Sequence, residues 1–418
     1  MKTIVIGGGV VGVTTAYYLA REGHEVTVLE KLNDVGQDAS GGNAGLIAPG
    51  HSFAWASPAA PKMLLKSLMG EATAIRVKLR PDPRLIWWGL QFLRECTSER
   101  ARINTIIKMK LCAYSQQELD KLAEEESIDY HQVQRGAFYL YREERELELG
   151  MAKMELLRSH GMEMDIVSGE ELAQHDPAFA SAKGIIAGAI HCKTDASGNC
   201  EKFTKTLAER CRALGVEFRF NTTAKRLLKS GNRVTGVETD RGTFVADYFV
   251  LANGIYSPHL SRTVGQHLPI YPAKGYSITV PIIDPQAAPT VPGVDEKTLV
   301  AWSRMGDRLR VSSTAEFAGY SRTWKHSDLS NILRTGRELF PNATNWDQVS
   351  ARACLRPMTP DGPPIIGRGK HENLYYNTGH GHMGWTMACG SSRVLVDLMM
   401  GRRPAIDTTG MQVRAIRR

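Results

Sequence analysis

An α/β protein is predicted, with a parallel-sheet domain assembled from separated segments and an antiparallel β-rich domain inserted into it twice. Three observations predict it. The chain opens strand, glycine turn, helix, strand between residues 3 and 30. Two later segments, 243–254 and 374–386, again run a strand-like stretch into a glycine turn. Residues 266–320 are strand-rich with alternating apolar positions, the pattern of a half-buried antiparallel sheet. At ~150 residues per domain, 418 residues make two to three domains. The expected division is 1–90, 198–265 and 340–418 for the first domain, and 91–197 with 266–339 for the second. With 42% hydrophobic and 23% charged residues, disorder, collagen and a bundle of membrane spans are excluded.

In order along the chain, residues 3–6 form a strand, 7–12 a glycine turn, 13–21 a helix and 25–29 a second strand that ends at Glu30. The uncharged run 3–20 after Lys2 is part of this fold and not a leader or anchor, because Gly7, Gly8 and Gly9 break it where a span would be most apolar. Residues 33–61 are rich in Gly, Ser, Ala and Pro and read as loop. Apolar residues then recur at helical spacing to about 123, with Arg80, Pro81, Asp82 and Pro83 as a break and Glu124 to Glu126 as a solvated end. Strands are expected at 136–141 and 188–192, helices at 143–160 and 200–214, and strands at 216–220, 234–239 and 243–251. A helix follows at 327–339 with Ser327 as its N-cap, then a proline-rich turn, a strand at 374–377 and a helix at 384–400. No internal repeat is present.

The glycine turn is a motif in itself. Gly7, Gly9 and Gly12, with Val10 and Val11 between them, follow a strand and open a helix, and Glu30 with Lys31 stands at the end of the next strand. Gly7 permits the turn, Gly9 lets a pyrophosphate approach the backbone, Gly12 lets helix and strand pack closely, and Glu30 can accept from a ribose hydroxyl. This is a Rossmann-type dinucleotide site, and the acidic residue favours FAD or NAD over NADP. Ser40, Asn43, Ala44, Gly45 and Leu46 belong to a small-residue loop, 40–50, that suits an extended cofactor lying flat along it, the alternative being a flexible linker. Asn253 and Gly254 repeat the strand-to-turn arrangement. In 355–367 four prolines and two glycines stiffen a turn that presents Arg356, and a fixed guanidinium is a natural partner for a carboxylate. The turn with Gly379, His380, Gly381, Gly384, Trp385 and Thr386 enters a helix, whose N-terminus favours the negative charge of a reduced flavin. His380 and His382 lack a third ligand at metal spacing, so no metal is expected. Seven cysteines with no C-x-x-C predict a reduced, cytoplasmic-side location.

Net charge is +8, and residues 62–110 hold eleven basic against four acidic side chains, a local +7. Met63, Leu65, Ile86, Trp87, Trp88 and Leu90 are interleaved with these charges, in uncharged runs too short to span a bilayer. The pattern suits an interfacial segment on an anionic membrane, the alternative being helices packed on the first domain with a solvated basic face.

Taken together with the segments 271–277, 355–362 and 384–391, these motifs resemble the bacterial D-amino acid dehydrogenase small-subunit family. It lies in the wider FAD family of D-amino acid oxidase, glycine oxidase and sarcosine oxidase, and the resemblance runs from residue 1 to about 403. It implies a Rossmann-type FAD domain with a β-rich substrate domain, and oxidation of a D-amino acid to an imino acid that water hydrolyses to a 2-oxo acid and ammonia. It further implies electron delivery to a quinone and peripheral attachment to the cytoplasmic side of the inner membrane. Arg356 is expected to clamp the substrate carboxylate with support from Tyr276 or Tyr271. Ser312, Ser313 and Thr314 stand where the family usually has paired glycines, which would narrow the pocket. The alternatives are an enzyme specialised for D-proline or hydroxy-D-proline, and an oxygen-using oxidase. A flavin domain acting on tRNA is disfavoured, since 62–110 contains no RNA-binding module, and no nucleic acid is expected. A cofactor-binding module without catalysis is the remaining alternative.

Overall fold

Short β-branched strands flanked by helices with one apolar face bury themselves by stacking helix on parallel sheet. In the computed structural model, which describes residues 1–69, 75–78 and 81–413, this gives a six-stranded sheet. Its order is Ile365–Arg368, Leu374–Thr378, Tyr248–Leu251, Lys2–Ile6, Glu25–Leu29 and Glu217–Arg219. Every neighbouring pair is parallel except the first. Side chains alternate across it. Val5, Val28 and Val250 face one core with the helices Val10–Arg21, Cys200–Ala213 and Gly384–Met399, while Ile4, Ile6, Phe249 and Leu251 face another, under the meander Ala224–Ser230, Arg233–Thr239, Gly242–Phe244. The run at 3–20 is thus one strand and one helix of the fold.

The second sheet has nine strands. Its order is Ser350–Met358, Tyr271–Pro281, Arg308–Phe317, Val300–Met305, Gly293–Asp295, Ala137–Tyr141, Gly188–Cys192 and Met164–Ser168, with Ile75–Val77 beside Arg308–Phe317. Most pairs are antiparallel, as the alternation predicts. Its back is sealed by the helix Ser330–Leu339 around Trp302, Phe179, Phe340 and Tyr276.

Several expectations are corrected. Residues 350–358, assigned to the first domain, pair with Tyr271–Pro281 in unbroken register and belong to the second sheet. The long helix Ser98–Glu125, assigned to the second domain, buries Leu111, Cys112 and Leu119 against the helices of the first, and Ser115 Oγ accepts the N–H of Gly390 at 3.0 Å. The stretch 243–251 is two strands: 242–244 closes the meander, and 248–251 enters the parallel sheet. The loop 33–61 contains a short strand, Leu46–Ile47, paired with Ala196–Ser197. Of the expected break, Arg80 lies outside the described residues. Asp82 accepts the N–H of Arg84 at 3.0 Å and so caps the helix Pro83–Glu95, with Pro83 in its first turn. All seven cysteines are free thiols. Among the described residues no helix is long and apolar enough to cross a membrane.

Leu111 is fully buried at the seam between the long helix and the first domain. Leu111→Ala should cost about 2–5 kcal/mol in urea unfolding; a loss below about 0.5 kcal/mol, the range of surface substitutions, would show that this helix does not complete that core.

Candidate active site

Between the two sheets runs a cavity of about 1830 Å³, well above the ~300–1,000 Å³ of an ordinary ligand pocket. The glycine fingerprint forms one end. Gly7 adopts φ +116°, where a side chain would also meet the Ala252 carbonyl, and a Cβ on Gly12 would run into the carbonyl oxygen of Gly7. The helix Val10–Arg21 therefore starts hard against the first strand. It has no acidic residue in its first turn and no side-chain cap on its Gly9 N-cap, so its positive end faces the cavity. Ser40 Oγ accepts the N–H of Val10 at 2.9 Å, which ties the small-residue loop to this end. Glu30 is buried in the wall, where Oε2 accepts from Gly8 N–H (2.6 Å) and Oε1 from Leu32 N–H (2.9 Å).

The loop is held from the other sheet. Arg310 Nη1 donates to the carbonyls of Gly41 (2.8 Å) and Asn43 (2.9 Å), and Ser303 Oγ donates to that of Ala44 (2.6 Å). Burial pushes the Arg310 guanidinium down to about 10.

The other end is built around Arg356. Its Nη1 donates to the carbonyl of Thr314 at 2.8 Å, and its guanidinium lies over Gly275, where a Cβ would collide with it. No carboxylate among the described residues pairs with it, and burial lowers its pKa, offset only in part by the nearby Cys354 thiol. A cation on a cavity wall without a counter-ion is a site for an anion. His380, its Nε2 2.9 Å from Ser391 Oγ, is pushed down to about 3 by burial. His382 stacks on Trp55 with ring centres 4.8 Å apart, and burial, with the charges of Lys108, His51 and Arg356, holds it neutral. The helix Gly384–Met399 starts here, again with no acidic residue in its first turn.

Most of the expected residues come together. Gly7, Gly9, Val10, Val11, Glu30, Lys31, Ser40, Asn43, Ala44, Leu46, Asn253, Gly254, His380, Gly381, Gly384, Trp385, Thr386 and Arg356 all line the cavity. Lys31 turns its ammonium to Asp38 (3.1 Å) and over the Tyr256 ring. Gly12, Gly45 and Gly379 do not line it, and shape the backbone around it. The two tyrosines are a correction. Tyr276 pairs with Ala353 in the register that pairs Ala273 with Arg356, so it lies on the opposite face of the sheet and donates to Glu316 at 3.1 Å. Tyr271 shares the face of Arg356, but its hydroxyl donates to Asp82 at 3.1 Å and props the helix Pro83–Glu95. Neither lines the cavity. Residues not anticipated are Arg310, the Thr222–Lys225 edge, and His51 with Glu296, whose side chains meet at 2.8 Å across 245 positions. The only local clue to them was their own polarity. Among the described residues no cluster of metal-ligating side chains occurs.

The family model described as FAD dependent oxidoreductase (DAO) matches residues 2–398. The chain is 43% identical over 412 residues, 98% of this chain and 99% of the other, to the protein of Mesorhizobium japonicum named D-amino acid dehydrogenase 2. It is 40% identical over 414 residues, 99% of each chain, to the D-amino acid dehydrogenase of Chromohalobacter salexigens. Among solved structures, glycine oxidase from Geobacillus kaustophilus is similar in fold, with a TM-score of 0.75 at 21% identity over 99% of this chain and 98% of that one. The residues present fit FAD: a cavity long enough for a dinucleotide and a small substrate, a glycine cradle that admits no Cβ, two helix N-termini facing inward, and a buried Glu30 at the ribose position.

Gly12→Ala forces the helix off the first strand. The purified variant should keep its circular dichroism spectrum and lose most of its flavin absorbance; full flavin content would refute the cradle.

Proposed function

The chain belongs to the DAO family of FAD-dependent oxidoreductases, and from that premise we propose that it oxidatively deaminates D-amino acids at the Arg356 end of the cavity. The observation that carries the site is the guanidinium of Arg356, set in the cavity wall, bonded to the Thr314 carbonyl and, among the described residues, with no carboxylate paired to it. A substrate α-carboxylate supplies the missing anion through two parallel hydrogen bonds. When bound, FAD supplies the two-electron acceptor for the hydride that leaves the substrate α-carbon. Arg356 fixes the carboxylate end, and so fixes which α-substituent faces the cofactor. Trp55, Trp88 and Phe317 make an apolar wall that excludes water, and the two neutral histidines add no cation to compete for the amine. The substrate amine gives up its extra proton to solvent as it enters, its lone pair assists departure of the hydride, and water outside the site converts the resulting protonated imino acid to a 2-oxo acid and ammonium. A charge-assisted hydrogen bond contributes about 1.5–3 kcal/mol. Arg356→Ala should therefore raise KM for D-amino acids roughly tenfold or more with FAD content unchanged. An unaltered KM removes Arg356 from the site.

The acceptor is a quinone, reached while the protein is docked peripherally on the cytoplasmic side of the inner membrane. Supporting this, the helix Pro83–Glu95 is apolar on both sides. Trp88 and Phe92 are buried against the second sheet, while Ile86, Leu90 and Leu93 are 60%, 55% and 48% exposed. A surface helix with two apolar faces requires a second apolar partner. Met63 and Leu65 on Ala60–Leu68 extend the exposed patch, Lys62, Lys66, Arg84 and Arg94 flank it, and Met63, Ile86, Leu90 and Leu93 also line the cavity mouth. Bilayer contact would place that mouth at the lipid, where a quinone is dissolved. In flotation, the protein should rise with anionic liposomes and Leu90→Glu/Leu93→Glu should stay behind. Failure of the intact protein to float defeats the docking.

A further inference from the structure

Resting on the D-amino acid reading above, we propose that the substrate enters through a second, polar opening of the cavity beside the helix Glu144–Arg158, separate from the apolar mouth. Ala152 and Lys153 of that helix line the cavity and are also exposed, so the cavity reaches solvent there. The opposite edge is made by Phe53, His51 and Glu296. At the rim the Lys153 ammonium sits 4.2 Å from the centre of the Phe53 ring. Further in, Glu296 Oε1 lies 2.8 Å from His51 Nε2, and Oε2 has no protein donor among the described residues. Burial raises the Glu296 carboxyl, but His51 and Lys153 together lower it further, so it stays ionised. An ammonium at the rim and a carboxylate inside match the two charges of an amino-acid zwitterion. His382 lines the same cavity between Trp55, on which it stacks, and the lining residues His51 and Arg356, so the passage leads on to the guanidinium.

The two openings are kept apart by a pinned strap. Lys108 Nζ donates to the Phe53 carbonyl at 2.7 Å, and Ala54 N–H donates to Thr105 Oγ1 at 3.0 Å, both anchors standing on the long helix. The apolar mouth meets that helix earlier, at Ala101 and Arg102. A zwitterion crossing the apolar mouth would shed the hydration of two charges without replacement, whereas the polar passage offers a partner for each. With separate openings, amino acid and lipid-soluble acceptor need not take turns at one door.

The test uses the FAD-loaded full chain and benzoate, a carboxylate with no α-hydrogen to lose, followed by stopped-flow through the change in the flavin spectrum. Lys153→Glu should slow association about tenfold at low salt, with the difference vanishing at high salt, as expected for steering by an exposed charge. Ala152→Trp should slow association and dissociation by the same factor and leave Kd unchanged, a result a damaged binding site would not give. Arg102→Glu, at the other mouth, should change neither rate. Unchanged rates in both Lys153→Glu and Ala152→Trp, or slowing by Arg102→Glu alone, would overturn the entry route while leaving the deamination reading in place. If benzoate leaves the wild-type spectrum unchanged but D-alanine still bleaches the flavin, the entry route falls alone; if neither acts, both readings fall.

Discussion

One strand of the second sheet, Arg308–Phe317, ties the two ends of the cavity together. Near its start Arg310 is buried and donates to the carbonyls of Gly41 and Asn43, in the loop that runs from the strand Glu25–Leu29 past the glycine cradle. Even lowered to about 10 the guanidinium is charged at neutral pH, and charge-assisted bonds of this kind contribute about 1.5–3 kcal/mol each. Further along the same strand, the carbonyl of Thr314 anchors Arg356. The small-residue loop and the Arg356 guanidinium are thus referenced to one rigid element, and a shift of that strand moves both together.

The anchor is strained. Thr314 has φ +69°, uncommon for a β-branched residue, and it sits where the pairing with Tyr271–Pro281 slips by one residue between Lys274 and Tyr276. Such conformations cost on the order of 1–3 kcal/mol and persist where neighbours over-determine them. Here the strand is paired on both sides, and Lys274 and Lys78 both hold Glu316, at 3.0 and 3.1 Å. The bulge turns the Thr314 carbonyl to the one cation it must orient. Ser312, Ser313 and Thr314 all contribute to the wall, as expected if their side chains narrow the pocket.

What was legible in the sequence was local. The fingerprint, Glu30, the small-residue loop and the turn at 377–386 are runs in which spacing alone decides what the backbone can approach, and each of them reaches the cavity. Arg356 was singled out as part of a rigid turn, but it lies within the strand Ser350–Met358, paired with Ala273, and what fixes its direction is that sheet register, which the prolines around it do not reveal. Tyr276 was misplaced because its role depends on which face of the sheet it occupies, and that follows from a register with a distant strand that no local pattern reveals. The same holds for His51 with Glu296, brought together across 245 residues. At 350–358 and at the long helix the expected division parts from the observed packing, because the first pairs with Tyr271–Pro281 and the second packs on Val10–Arg21 and Gly384–Met399, contacts distant in sequence that no local pattern reveals.

The excess charge of residues 62–110 acquires a position in this arrangement: basic side chains flank an apolar patch at one mouth, and the Arg356 guanidinium lies inside. The proposed reaction needs a carboxylate held by Arg356 with the α-hydrogen facing the flavin, so stereochemistry is its most direct readout. Anaerobic titration of the FAD-loaded protein with paired D- and L-amino acids follows flavin bleaching for each compound. Bleaching by D-amino acids and not by their L-enantiomers is the predicted result; bleaching by L-amino acids alone, or by none of the panel, would contradict the account.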